Sequence, residues 1–338
     1  LAGGGLERLA AESTFSEIVA APSLFGYALL LLTGVFLILA GGVQGGIERL
    51  ARVLMPTLAV MLVALTAFVL TLDGATAGIA YYLVPDFGKM TLATVNGALS
   101  QALFSLSLGM GILITYGSYF SRQDSIPGSA RMVALMDTSI AFFAGLLILP
   151  AIFAFDPNTN TDDLSTSSVG LVFSFLPKIF LSMQASVGYL GATVVAVAFF
   201  MLVFFAALTS LVSIIEIPIA YFIDEFKLSR NRAVCLQAVL LALFTIPATM
   251  SFGMADALTQ FSHYGGVDRS FFDLIYDLFY ETILPLVGFT VCLFAAYRWK
   301  MSGLSAELVI GDDRYQGSLL QRYMNFALGT VIPAVLFA

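Results

Sequence analysis

The sequence predicts an all-α polytopic membrane protein, on three observations. Of 338 residues, 59% are hydrophobic and only 11% are charged, whereas water-soluble domains carry about 45–50% apolar and about 25% charged residues. Mean hydropathy is +0.94. The apolar residues also fall in long continuous runs, which read as helices and not as the alternating strands of a membrane barrel. One His and two Cys are too few for a metal cluster or a disulfide framework, and Cys235 and Cys292 sit in apolar runs as packing residues. A net charge of −7 with scattered basic residues is the opposite of a concentrated basic patch, so no nucleic-acid partner is expected.

A span needs about 20 mostly apolar residues to cross about 30 Å of hydrocarbon. Eight stretches qualify: 23–43, 54–73, 94–120, 131–155, 186–223, 232–251, 270–297 and 321–338. They make 23–338 a transmembrane domain, preceded by a segment, 1–22, outside the bilayer. Alternating the loops puts Arg49, Arg52, Arg122, Arg131, Lys227, Arg230, Arg232, Arg298, Lys300, Arg314 and Arg322 on one side, and only Arg8, Lys89, Lys178 and Arg269 on the other. By the positive-inside rule the first side is cytoplasmic, which places both chain ends outside. Residues 161–183 are not counted as a span. They begin with paired acids and carry Pro177 and Lys178 within their apolar part, so 156–185 reads as an external lid or re-entrant loop. The sequence has no start Met or signal-peptide pattern and stops inside the apolar "VIPAVLFA"; it reads as a fragment of a longer protein or a trimmed one.

Polar and ionisable residues at membrane depth are candidates for function. In the third span, "SQALFSLSLGMGILITYGSY" gathers Ser105, Ser107, Gly109 and Gly111. Glycine weakens a helix by about 1 kcal/mol relative to alanine, so an unwound segment fits; close small-residue helix packing fits the same spacing. In the fourth span, Asp137 lies six residues beyond Arg131, about 9 Å along a helix, too deep for a short side chain to reach water. It must be neutralised, paired or bound to an ion, and both an ion ligand and a structural acid fit. The fifth span holds adjacent Thr209 and Ser210 one turn after Ala206. Such an oxygen cluster suits sodium, although Thr and Ser also bond back to the preceding turn. Glu216 reads as a buried structural acid, and Asp224 as a gate or a solvated helix end. In the seventh span, Asp273, Asp277 and Glu281 at i, i+4 and i+8 share one face of a regular helix; something cationic should face them, or some are protonated.

"FSLSLGMGILITYGSYF" resembles the broken sixth helix of the neurotransmitter:sodium symporters, and "FFAALTSLVSIIEIPIAYFIDEFKLSR" resembles their eighth helix. "PSLFGY", "GGIERLARVLMPTL", "DFGKM" and "GLVFSFLPKIF" follow in family order, the last resembling the external lid. The bacterial amino-acid transporters of the family are the closest in style. The resemblance implies a LeuT-type fold of twelve helices, the first ten forming two inverted repeats, with the eight spans here matching helices four to eleven and helices one, two, three and twelve lying outside this sequence. It implies sodium ligands at Ala206 (carbonyl), Thr209 and Ser210 for one site, and at Ser105 and Asp137 for the other. Asp137 stands where many members have Asn, and Ala141 where some bacterial members carry Glu; a resident acid at Asp137 implies transport that needs no chloride. The substrate pocket carried over comprises Phe104, Ser105, Ser107, Met110, Ser210 and Ile214, with carbonyls at the break taking the substrate ammonium and a sodium ion taking its carboxylate. Met110 replaces an aromatic residue of some members, and its adaptable side chain suggests medium or large apolar amino acids. Tyr119, Asp224 and Glu216 match the cytoplasmic gate, and Asp273 or Asp277 the outer acid, the spacing "FFDLIYD" leaving that choice open.

The function implied is sodium-coupled amino-acid symport by alternating access across the cytoplasmic membrane, with no covalent chemistry. A non-transporting, receptor-like member of the same fold is the alternative within the family. An intramembrane enzyme is the alternative outside it, but the single His263 is assigned to an external loop and no Lys lies at membrane depth.

Overall fold

Six helices among the described residues are long and apolar enough to cross a membrane: Ser23–Gly41, Ala51–Val69, Ile126–Phe155, Gln184–Phe226, Arg230–Met250 and Phe271–Val309. The structure is a computed structural model and describes residues 5–11, 14, 17–18, 21–41, 44–118, 120–158, 168–264 and 266–337. Two further apolar runs are divided. Residues 94–120, expected as one span, form the helices Leu92–Ser105 and Ile112–Gly117 with irregular backbone between them. Residues 321–338 form Leu319–Ala327 and Val331–Phe337. Pro333 accounts for the second division, because it has no N–H for the carbonyl four residues back and its ring clashes there.

The chain forms two units: Leu1–Pro85 with Ile140–Thr259, and Asp86–Ser139 with Gln260–Ala338. In the first, one core joins Leu62, Leu65 and Val69 to Leu147, Ala151, Ile179, Phe180 and Phe199. The Ser168–Ser182 helix supplies Leu176, Ile179 and Phe180 to it, a spacing that lays one stripe of a helix on its neighbours. Its 15 residues extend only about 22 Å, too short to span, although Pro177 lies inside it. Within Gln184–Phe226 the backbone leaves helical geometry at Gly188, φ 72° and ψ 168°, a region open only to glycine.

A second core of the first unit gathers Val35, Leu39, Val212, Ile215, Ile219, Ala233 and Val234 from three helices. At its edge Arg230 donates through Nη1 and Nη2 to the two carboxylate oxygens of Glu216, each at 3.0 Å, and through Nε to the Leu39 carbonyl at 2.8 Å. One planar guanidinium therefore ties together the helices Ser23–Gly41, Gln184–Phe226 and Arg230–Met250.

Close packing is set by a glycine at Gly78, where an added Cβ would lie 2.4 Å from the Pro150 Cα. Gly78→Ala forces the Ala75–Leu83 and Ile126–Phe155 helices apart. It is expected to lower the stability of the purified protein by about 1–3 kcal/mol, read as a fall in apparent melting temperature. Gly97→Ala, on a helix with nothing within 4 Å of the new methyl, is the control and should be neutral or slightly stabilising.

In the second unit, Thr91 and Thr94 form a reciprocal capping box, at 3.1 and 3.3 Å, that starts the Leu92–Ser105 helix. The 270–297 run is longer than expected, continuing through Met301–Val309 past a non-helical Lys300, φ 69°. It carries two π-helical stretches, Asp277–Ile283 and Phe294–Lys300. The loops beside it are linked: Ser125 Oγ donates to Asp312 Oδ2 at 3.1 Å and accepts from the Gly128 amide at 3.0 Å. Desolvation alone would raise the Asp312 carboxyl, but hydrogen bonds from Ser125 and Arg314 outweigh it and hold it below the usual carboxylate range.

Candidate functional site

The break in the 92–117 run is built by three residues in the left-handed region: Ser107 at φ 56°, Gly109 at φ 77° and Gly111 at φ 82°. Glycine is needed at Gly109 for space as well, since an added Cβ would lie 3.0 Å from the Leu284 carbonyl oxygen. The end of the first half-helix is closed by three bonds: Leu106 N–H to the Ala102 carbonyl, Ser107 N–H to Phe104, and Leu108 N–H to Leu103 at 2.7 Å. Among the described residues, no backbone N–H is donated to the carbonyls of Ser105 through Met110. Such a row of unsatisfied carbonyls is tolerated at membrane depth only where protein, water or an ion meets it.

Two residues picked out from different spans meet beside the break. Ser105 Oγ donates to Asp137 Oδ1 at 2.5 Å. The serine hydrogen is committed to the carboxylate, so the Ser105 lone pairs and the second Asp137 oxygen are left to accept. That is an oxygen-only set that includes a carboxyl group, the donor chemistry of a hard monovalent cation. Phe104 stands edge-on to Tyr280, with centroids 5.2 Å apart, and Tyr280 donates to Gln101 Oε1 at 2.7 Å. Tyr280 in turn stacks on Tyr276 at 4.7 Å. Ser107 forms part of the unwound turn itself, and Met110 is partly buried against Leu103, Leu284 and Cys292.

In the first unit, Ala206, Thr209 and Ser210 lie on the Gln184–Phe226 helix, and Thr209 Oγ1 donates to the Ala206 carbonyl at 2.8 Å. This is the back-bond that an ordinary helical threonine makes; it also aligns two oxygens with free lone pairs on one face. Ile214 is 43% exposed, and Ser210 and Asp224 are exposed as well. Glu216 is bound by Arg230. Tyr119 lies outside the described residues.

The first two acids of the seventh span are not met by the cation that their spacing suggested. Asp277–Ile283 is π-helical, with bonds from i to i+5. Hydroxyl and amide donors, not a cation, bind the first two acids. Asp273 Oδ2 accepts from the Ser270 amide and hydroxyl, both at 2.9 Å, and so caps its own helix. Asp277 Oδ2 accepts from the Tyr264 hydroxyl at 2.6 Å. The hydrogen bond to Asp277 is the main reason the Tyr264 phenol is raised above its ordinary value, with desolvation next.

Tyr264 belongs to a two-stranded hairpin in which Ser262 pairs with Arg269 and His263 with Asp268. His263 Nδ1 lies 2.8 Å from Asp268 Oδ1, with both side chains about two-thirds exposed, at 67% and 64%. Tyr264, Tyr280 and Gln101 join the site without having been expected from the sequence. A tyrosine in a turn-rich loop and a glutamine one turn before the Ser-Gly break were the only available signals.

Membrane-length helices and one broken helix, with free carbonyls and an acid from a neighbouring span beside the break, define a multi-pass membrane protein of the transporter class. Residues 23–311 match the model of the sodium:neurotransmitter symporter family, and the chain belongs to that family. It is 31% identical over 310 residues to the uncharacterized sodium-dependent transporter YhdH of Bacillus subtilis, a match covering 91% of this chain and 65% of the relative. With an uncharacterized sodium-dependent transporter of Haemophilus influenzae the identity is 34% over 312 residues, covering 92% and 63%. The chain thus spans just under two thirds of the length of these relatives. Among solved structures, MhsT in complex with L-phenylalanine superposes with a TM-score of 0.83 at 36% identity, covering 99% of this chain and 70% of MhsT. The sodium-dependent nutrient amino acid transporter 1 of Drosophila ananassae is more distant, at 26% identity over 249 residues, covering 72% of this chain and 38% of the relative.

Proposed function

We propose that the complete protein carries an amino acid across the cytoplasmic membrane together with sodium, by alternating access and without chloride, and catalyses no covalent reaction. The observation that supports this best is the break itself: free carbonyls from Ser105 to Met110 beside the Ser105–Asp137 hydrogen bond. Carbonyls accept an ammonium, and a sodium ion held by Asp137 and Ser105 presents positive charge to a carboxylate. An amino acid carries both groups. Two similar proteins are named for sodium dependence and a solved relative holds L-phenylalanine. With the flexible Met110 at the break, medium or large apolar amino acids are the favoured substrates.

Ala206, Thr209 and Ser210 serve as half of a second sodium site. Asp277 serves as the outer gate acid, because Asp273 is already consumed in capping its helix. Tyr119, Asp224 and Glu216 form the cytoplasmic gate. Coupling follows because a ligand shifts a conformational equilibrium only by its differential affinity for the two states. Equilibrium binding of radiolabelled L-phenylalanine by the purified full-length protein, titrated with sodium, tests the reading. Thr209→Ala should weaken the apparent sodium affinity about tenfold, or about 1.4 kcal/mol. An unchanged sodium titration in both Thr209→Ala and Asp137→Ala would refute the site assignment.

A further inference from the structure

A cavity of about 340 Å³ lies within the second unit, between the Leu92–Ser105 helix, the run from Phe271 to Leu293 and the Val331–Phe337 helix. None of the residues assigned above to substrate, sodium or the gates lines it. Its polar wall is Asn96, Ser100, Glu281 and Thr282, and residues such as Leu286 and Val335 form an apolar remainder. Glu281 stands on the π-helical stretch Asp277–Ile283, a geometry that recurs at functional sites.

The polar wall is unsatisfied. Ser100 is 6% exposed, Asn96 is partly buried, and Glu281 and Thr282 are exposed along the span; among the described residues, neither the Ser100 hydroxyl nor the side chains of Asn96 and Glu281 have a hydrogen-bond or ion-pair partner. Thr282 Oγ1 donates to the Asp277 carbonyl at 3.3 Å, which leaves its lone pairs free. An unpaired carboxylate within an apolar run is costly, and each of the other three groups can accept a hydrogen bond. The missing partner is therefore a cation that donates. A bare metal ion suits the space poorly: hard cations take six or more closely set oxygens, and here a single carboxylate faces a chamber with a large apolar wall. A primary ammonium has three donors in a compact head, enough for Glu281 and two neutral acceptors, and an apolar body attached to it covers Leu286 and Val335.

We propose that this cavity is a binding site, separate from the transport site, for a primary ammonium carried on an apolar body, with Glu281 as its counter-ion. Free hydrophobic amines and the ethanolamine headgroup of a bilayer lipid share that chemistry. The test is titration of the full-length protein with n-octylamine in phosphatidylcholine nanodiscs and sodium-free buffer, followed by calorimetry. Because neither sodium nor transport is involved, this result and the uptake result can fail separately.

Saturable octylamine binding is expected in the wild type, at least tenfold weaker in Glu281→Gln and severalfold weaker in Ser100→Ala, with n-octanol not bound. Weaker apparent octylamine affinity when phosphatidylethanolamine is added to the nanodiscs supports the site with a lipid headgroup as occupant; unchanged affinity supports it with free amines. Equal octylamine affinity in the wild type and both variants, or octanol bound as well as octylamine, overturns the proposal. If Glu281→Gln shows no cooperative melting, Ser100→Ala decides alone.

Discussion

Asp137→Ala should reduce sodium-dependent amino-acid uptake by the full-length protein a hundredfold or more at low sodium. The Asp137 carboxylate is the acceptor of the Ser105 hydroxyl and supplies the negative charge expected at that cation site. Removing one member of a fully buried charge pair costs about 3–5 kcal/mol; Asp137 is only partly buried, so the low end, about 3 kcal/mol, applies, and each 1.4 kcal/mol is about tenfold in affinity. The loss should appear as a shift in the sodium concentration for half-maximal uptake, measured in proteoliposomes. Asp137→Asn separates charge from shape. It keeps an oxygen for Ser105 but removes the fixed negative charge, so uptake in that variant should respond to added chloride while the wild type does not. Wild-type uptake that ceased on chloride removal would contradict the role given to the carboxylate.

The second large effect is expected on folding. Glu216→Ala leaves the Arg230 guanidinium facing the space of its lost partner, with its Nε still held at the Leu39 carbonyl. The cost of orphaning a buried charge must be discounted here, since the Arg230 side chain is 32% exposed and the Glu216 side chain 17%. A loss of about 2 kcal/mol is expected, below the range for fully buried pairs, measured as reduced thermal stability in detergent. Arg230→Lys should fall nearly as far, because an ammonium cannot reproduce the two-pronged contact with Glu216 and reach the Leu39 carbonyl as well. The stability readout is independent of any gating role of Glu216. Unchanged melting temperatures in both variants would show that the three helices are held by the surrounding apolar core alone.

The long apolar runs and the Ser-Gly break were legible because each is a local statement: a helix needs length and hydrophobicity, and residues 105–111 offer too little of what holds a helix together. Pro177 and Lys178 set 161–183 apart from the spans in the sequence, and the helix within it, Ser168–Ser182, has 15 residues. The π turns were not legible. A wider turn leaves no periodic trace in seven residues. Partners distant in sequence were invisible for another reason. The Arg230 contact to Leu39 crosses 191 positions and the Tyr280 contact to Gln101 crosses 179, and neither pair has a charge or spacing pattern that selects it from other polar residues. Ser105 and Asp137 each stood out as a polar residue deep in its span and the resemblance put them in one sodium site, but the hydrogen bond between them required the fold.

The central claim is that sodium bound beside the broken helix drives amino-acid accumulation without chloride. The direct measurement is uptake of radiolabelled L-phenylalanine by the full-length protein in proteoliposomes, with an inward sodium gradient and gluconate replacing chloride. Transient accumulation above the external concentration that collapses when a sodium ionophore dissipates the gradient is the predicted result. Sodium-dependent binding with no accumulation, or accumulation that the ionophore leaves intact, would contradict it.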